Sequence, residues 1–173
     1  SIGSARKVED HPVYMAEVLT TPKNNKIGYL VYNHFTDGKG DGDTSYDDKL
    51  REVSRKFKDG GVKDVVLDLR YNNGGLLTSA LVLSAILAPA NAFVSNFAYM
   101  EYKNKPKKEY PLDHKIQLKS TGVNLNLSRL YVLTSERTAS ASEMIINSLR
   151  PFMGEDKVIL IGDQTEGKNV GSV

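Results

Sequence analysis

The stretch Lys26 to Phe35 (KIGYLVYNHF) is rich in aromatic and β-branched residues, which predicts a strand. Farther on, Tyr46, Leu50, Val53 and Phe57 recur at helical spacing and form one apolar stripe. Ser45 and Asp48 resemble a capping box at the start of that helix, and Gly60-Gly61 is suited to ending it. Val65 to Leu69 is a continuous apolar run broken only by Asp68, the pattern of a strand buried on both faces in a parallel sheet. A turn at Asn72 to Gly75 then leads into a very apolar helix over 76–88, stopped near Pro89. Residues 92–118 mix aromatic and basic positions and predict a hairpin or an excursion from the main sheet. Strand, turn and helix recur: Leu130 to Leu133, a polar turn, then Ala141 to Arg150 before Pro151. Val158 to Ile161 predicts a last buried strand, followed by polar residues 162–172. Residues 1–25 read as a lead-in to one domain over 26–173. Strands alternating with helices through glycine-rich turns indicate an α/β fold, with a largely parallel central sheet flanked by helices.

Composition narrows the function classes. With 40% apolar residues and a net charge of +2, the chain has a globular composition without the concentrated basic surface that an obligatory nucleic-acid partner requires. The basic run Lys103 to Lys108 is broken by Asn104 and Pro106 and reads as a solvated turn. The absence of cysteine excludes a disulfide scaffold, a thiol nucleophile and a cysteine-based zinc site. Asp37 to Asp43 (DGKGDGD) superficially resembles a calcium loop. Lys39 occupies a ligand position and Asp48 stands where the closing Glu belongs, so a surface turn is expected instead. No apolar run is long enough to insert in a membrane.

Three turns after expected strands carry unusual polar residues, and sites in α/β sheets form at such strand ends. The first, Asp68 to Gly75 (DLRYNNGG), has glycines that allow N–H groups to point into a site; it also reads as a simple turn with a local Asp–Arg pair. The second, Thr138 to Glu143 (TASASE), puts Ser140 at a helix N-terminus, where unsatisfied N–H groups can stabilise an oxyanion. The same residues also fit an ordinary S-x-x-E capping box. The third, Gly167-Lys168, lacks the first glycine and the following Ser or Thr of a phosphate loop, and Lys168 alone reads as a surface lysine. His11, His34 and His114 lie outside these turns, so neither a Ser–His–Asp triad nor a metal site is expected. The carboxylate pairs Asp47-Asp48 and Glu155-Asp156 sit in surface-like contexts.

Taken together and in order, the turns resemble a known family. Asp68 to Gly75 resembles the D-L-R-x-N-x-G-G signature of the C-terminal processing, or tail-specific, peptidases of family S41. Thr138 to Glu143 resembles their S-A-S-A-S-E turn with Thr138 in place of the first Ser, and Val158 to Lys168 resembles their strand and T-x-G-K motif. The resemblance implies a crotonase/ClpP-like fold and a serine endopeptidase cutting protein substrates near their C-termini. It implies Ser140 as nucleophile, Lys168 as general base, and oxyanion donors at the N–H groups of Ala141 and of Gly74 or Gly75. Asp68, Arg70, Asn72 and Ser172 are expected to support the site. A lysine acting as base must be neutral, which burial against 158–161 would favour. No metal or cofactor is expected, and the substrate is a peptide bound in extended form. The family further implies a bacterial cell-envelope location, an upstream PDZ module, and strands beyond the lysine turn. Two departures stand out: Ser172 occupies the position where many members carry a glutamine that orients the lysine, and Pro151 falls where some carry an acid. The alternative is a non-catalytic peptide- or ligand-binding module on the same fold.

Overall fold

A computed structural model describes residues 9–168, 170 and 171. Its main sheet has five strands in the order β1 (Val13–Thr20), β2 (Lys26–Tyr32), β3 (Asp64–Asp68), β6 (Arg129–Thr134) and β7 (Val158–Gly162). The β1–β2 pair is antiparallel and the other three pairings are parallel. Strand β1 comes from the stretch read as a lead-in; it forms an edge of the sheet, with exposed positions at Tyr14 and Leu19. The expected hairpin exists as a separate two-stranded ribbon, β4 (Asn96–Tyr102) and β5 (Lys105–Pro111). In it Lys107 stacks over the ring of Tyr99.

Helix α1 (Ser45–Asp59) forms where the apolar stripe predicts and buries Tyr46, Leu50, Val53 and Phe57. Its cap differs from the expected one. The N-cap is Thr44, which makes no side-chain cap bond, and Asp43 before it accepts from the Ser45 N–H at 2.9 Å. The left-handed glycine past its end is Gly61, with φ of 73°. Helix α2 (Leu77–Leu87) is buried over every position from Ser79 to Leu87, because α1, α3 (His114–Leu118) and α4 (Ala141–Met153) surround it. Asp113 caps α3 by accepting the N–H groups of Lys115 and Ile116, so the acid beside His114 has a structural duty.

Two further expectations need correction. Pro151 does not stop α4, which continues to Met153 and closes at Gly154; a proline there forfeits one backbone bond near the end of the helix, where few remain. Strand β7 is not buried on both faces. Among the described residues it pairs only with β6, and its outer half lies open, with Leu160 39% and Ile161 50% exposed.

Candidate active site

Strands β3, β6 and β7 run parallel, so the turns that leave them emerge at the same end of the sheet. Hydrogen bonds then lock those turns together. The Leu69 carbonyl accepts from the Thr138 hydroxyl at 2.8 Å, and the Arg70 carbonyl accepts from the Ser135 hydroxyl. Thr138 is fully buried, and the hydroxyl it shares with serine makes this bond. The Thr138 carbonyl in turn accepts from the Glu166 N–H at 3.0 Å. Thr134 holds the start of the third turn, donating its hydroxyl to the Asp163 carbonyl.

Asn72 is the hub of the first turn and is fully buried. Its side-chain amide donates to the Tyr32 carbonyl and its Oδ1 accepts from the Gly74 N–H, both at 2.9 Å. Its backbone carbonyl accepts from the Ala139 N–H and the Ser142 hydroxyl. Asp68, at the end of β3, is 2% exposed and accepts from Arg70 and from the Tyr29 hydroxyl. Burial pushes its carboxyl up, but the Arg70 and Tyr29 bonds outweigh burial and hold it below the usual carboxylate range. Asp68 and Arg70 therefore brace the turn as a fixed ion pair.

Ser140 precedes α4 with φ of 56° and ψ of −114°, a conformation rarely adopted by non-glycine residues. A strained serine between a strand and a helix N-terminus is a geometry suited to a presented nucleophile. Space beside it is kept open by glycine: a Cβ on Gly74 would lie 2.8 Å from the Ser140 Cβ and 3.1 Å from the Ala141 nitrogen. Of the three expected oxyanion donors, the Gly74 N–H is spent on Asn72, and those of Gly75 and Ala141 have no acceptor among the described residues. Gly75 is fixed by a bridge to Phe35, whose carbonyl oxygen would stand 2.1 Å from a Cβ at position 75.

Glu143, in the first turn of α4, is the residue whose importance sequence reasoning missed. The S-x-x-E signal accounts only for its bond from the Ser140 N–H at 2.8 Å. The same carboxylate also accepts from the Thr165 hydroxyl at 2.7 Å and from the N–H groups of Gly167 at 2.6 Å and Lys168 at 2.9 Å. Burial pushes its carboxyl up, but these bonds together bring it below the ordinary glutamate range. The Lys168 side chain is exposed, contrary to expectation, because the strand meant to cover it is itself open to solvent. Ser172 lies outside the described residues. His34 lines an open hollow of about 630 Å³ with Glu9, Thr36, Lys39 and Tyr46, on elements other than the three turns.

A strand-end serine, braced glycine turns and a lysine turn tied to the same helix thus share one end of a largely parallel α/β sheet. The model of peptidase family S41 matches residues 26–173, and the chain belongs to that family. It is 29% identical over 148 residues to a protein of Staphylococcus aureus (strain COL) described as a probable CtpA-like serine protease, covering 86% of this chain and 26% of that one. It is also 29% identical over 154 residues to the carboxy-terminal processing protease CtpA of Bacillus subtilis (strain 168), covering 87% and 28% respectively. Among solved structures, an S41-type protein of Bacteroides fragilis NCTC 9343 superposes with a TM-score of 0.87 at 40% identity, over 95% of this chain and 42% of that one. The photosystem II D1 C-terminal processing protease shares the fold, with a TM-score of 0.63 at 20% identity over 94% of this chain and 39% of that one. The chain thus spans about a quarter of the length of these curated relatives.

Proposed function

We propose that this chain carries the catalytic core of a serine endopeptidase, with Ser140 as nucleophile and Lys168 as general base. The observation that carries the reading is the meeting of three strand-end turns at Ser140, whose strained backbone adjoins two uncommitted N–H groups. In this mechanism neutral Lys168 takes the Ser140 proton as Oγ attacks a peptide carbonyl. The N–H groups of Gly75 and Ala141 receive the oxyanion. The tetrahedral intermediate collapses, the lysine passes its proton to the departing amine, and the acyl-enzyme remains. Lys168 then removes a proton from water, which cleaves the ester and returns Ser140. The substrate lies extended, pairing its backbone with the protein. Cutting near the C-terminus follows the name of the Bacillus relative. The resemblance also supports a crotonase/ClpP-like classification of the sheet and a location in the bacterial cell envelope; one neighbour of the same fold is a streptococcal lipoprotein. No described helix is long and apolar enough to cross a membrane.

The exposure of Lys168 favours a second reading, a binding module that keeps the fold without catalysis. One experiment separates the two. Full-length protein is incubated with a casein-like unfolded substrate, alongside Ser140→Ala and Lys168→Arg variants. The peptidase reading expects cleavage by the wild type and none by either variant, since a guanidinium does not give up its proton in this range. Cleavage at the wild-type rate by the arginine variant eliminates the Ser–Lys mechanism. Capture of peptide without cleavage by the wild type supports the binding module.

A further inference from the structure

The Glu143 carboxylate is almost fully withdrawn from solvent and accepts four hydrogen bonds, yet only one comes from its own helix cap. The distribution over its two oxygens is informative. Oε1 takes the Thr165 hydroxyl and the Gly167 N–H, both from the lysine turn. Oε2 takes the Ser140 N–H and the Lys168 N–H, so one atom links the backbones of the two residues assigned to the chemistry. Lys168 sits in an exposed segment beyond an edge strand, and a Cβ on the adjacent Gly167 would touch nothing within 4 Å. Packing therefore does little to fix this turn. Its ties to the body of the protein include the Glu166 N–H bond to Thr138 and the three bonds to Glu143.

We propose that Glu143 is a positioning residue that pins the lysine turn to the nucleophile turn and so sets where Lys168 stands relative to Ser140. The inference rests on the Ser–Lys reading above for its catalytic consequence, though the pinning itself does not. Four donors meet the carboxylate, and both oxygens must accept. Glutamine cannot replace it: in either orientation its NH₂ group would face two of those donors and accept from neither. A mere capping box, by contrast, works with Glu or Gln. The two roles thus give opposite expectations for the same conservative substitution.

The test uses the full-length protein as wild type, Glu143→Gln and Thr165→Val, the last removing one bond to Oε1 while leaving the Ser140 cap in place. Amide hydrogen exchange is followed at Gly167 and Lys168, and kcat and KM are measured on an unfolded protein substrate. In Glu143→Gln, exchange at both amides is expected to rise about tenfold or more, as befits loss of bonds to a charged acceptor. The kcat is expected to fall about 100-fold, as for a catalytic group misplaced by an ångström, with KM within about twofold because no substrate contact is lost. Thr165→Val is expected to shift exchange and kcat in the same directions by a smaller factor, and it keeps the idea testable if the glutamine variant folds poorly. Unchanged exchange in the variants overturns the pin. Raised exchange with wild-type kcat overturns its catalytic role. Absence of cleavage by the wild type counts against the peptidase reading alone, and the exchange comparison still decides whether Glu143 holds the turn.

Discussion

Replacing Gly74 with alanine probes the candidate site through a single methyl group. The added Cβ would lie 2.8 Å from the Ser140 Cβ and 3.1 Å from both the Ala139 oxygen and the Ala141 nitrogen. Carbon atoms in contact settle at about 3.5–4.0 Å, so the turns must part by close to an ångström. Gly74 also has φ of 105°, where a residue bearing a side chain incurs strain of about 1–3 kcal/mol. That strain lowers stability without dismantling a domain of ordinary stability, about 5–15 kcal/mol. Catalysis should suffer far more. Misplacing a reacting group by an ångström costs about 100-fold, and a methyl beside the Ala141 nitrogen also obstructs a proposed oxyanion donor, whose loss is worth about 10²–10³. The expected outcome is a fall in kcat/KM of about 10²–10³ together with a stability loss of about 1–3 kcal/mol. The assay pairs hydrolysis of an unfolded protein with urea unfolding. Gly61→Ala serves as control: its φ of 73° brings comparable strain, while its Cβ meets nothing within 4 Å and lies past the end of α1, outside the three turns. Wild-type kcat/KM in a folded Gly74→Ala protein would refute the assignment of this space to the oxyanion.

Two other substitutions test the energetics of the same region. Ser140→Gly should abolish hydrolysis yet unfold at higher denaturant than Ser140→Ala, by about 1 kcal/mol, since glycine accepts positive φ without a Cβ penalty; equal midpoints would show that the φ of 56° stores no strain. Asp47, in the first turn of α1, is 4% exposed and its Oδ1 has no hydrogen-bond partner among the described residues. Burial raises its carboxyl above the usual range, against the partial opposition of the Ser79 hydroxyl and then of Arg51. The folded state therefore holds a proton that the unfolded state releases near pH 3.9, and stability should decline as pH rises from there through the raised folded value. Asp47→Asn should flatten that decline and add about 1–3 kcal/mol at neutral pH, read by urea unfolding between about pH 4 and pH 7; an undiminished slope in the variant would place the titration elsewhere.

The three turns were legible because each combines a local signal with a predictable place. An apolar run followed by glycine or small polar residues marks the exit of a buried strand, and parallel pairing puts such exits at one end. What the turns do to one another was not legible, because it depends on contacts distant in sequence. The glycine pair offered two equivalent N–H donors; only the Asn72 side chain, which takes the Gly74 N–H, distinguishes them. Glu143 looked complete as a capping residue, and the bonds from Thr165, Gly167 and Lys168 carry no trace in the local pattern. Strand β7 misled for a related reason. Val158 to Ile161 records only that these residues are apolar, which does not say whether a neighbour lies on one side or two. Strand β1 was passed over because its inward positions, Ala16 and Val18, alternate with exposed ones at an edge of the sheet.

The distribution of satisfied and unsatisfied groups adds to the motifs in the argument for the proposed site. In the first turn, the Asp68 carboxylate and the Asn72 side chain are committed to neighbours, and the Thr138 hydroxyl and Glu143 carboxylate are equally engaged. Such commitment fixes geometry but leaves these groups little capacity for a ligand. Against that background, of the three N–H groups weighed as oxyanion donors, those of Gly75 and Ala141 have no acceptor among the described residues. Ala141 directly follows, and Gly74 packs against, Ser140, the one residue of the three turns held at positive φ without being glycine. On the peptidase reading proposed above, a peptide carbonyl attacked by Ser140 would supply the Gly75 and Ala141 donors with an acceptor that grows more negative as the bond forms. On that reading the frame comes first: the Asn72 side chain takes the Gly74 N–H, and Glu143 ties the lysine turn to the Ser140 backbone, before any reacting group can act.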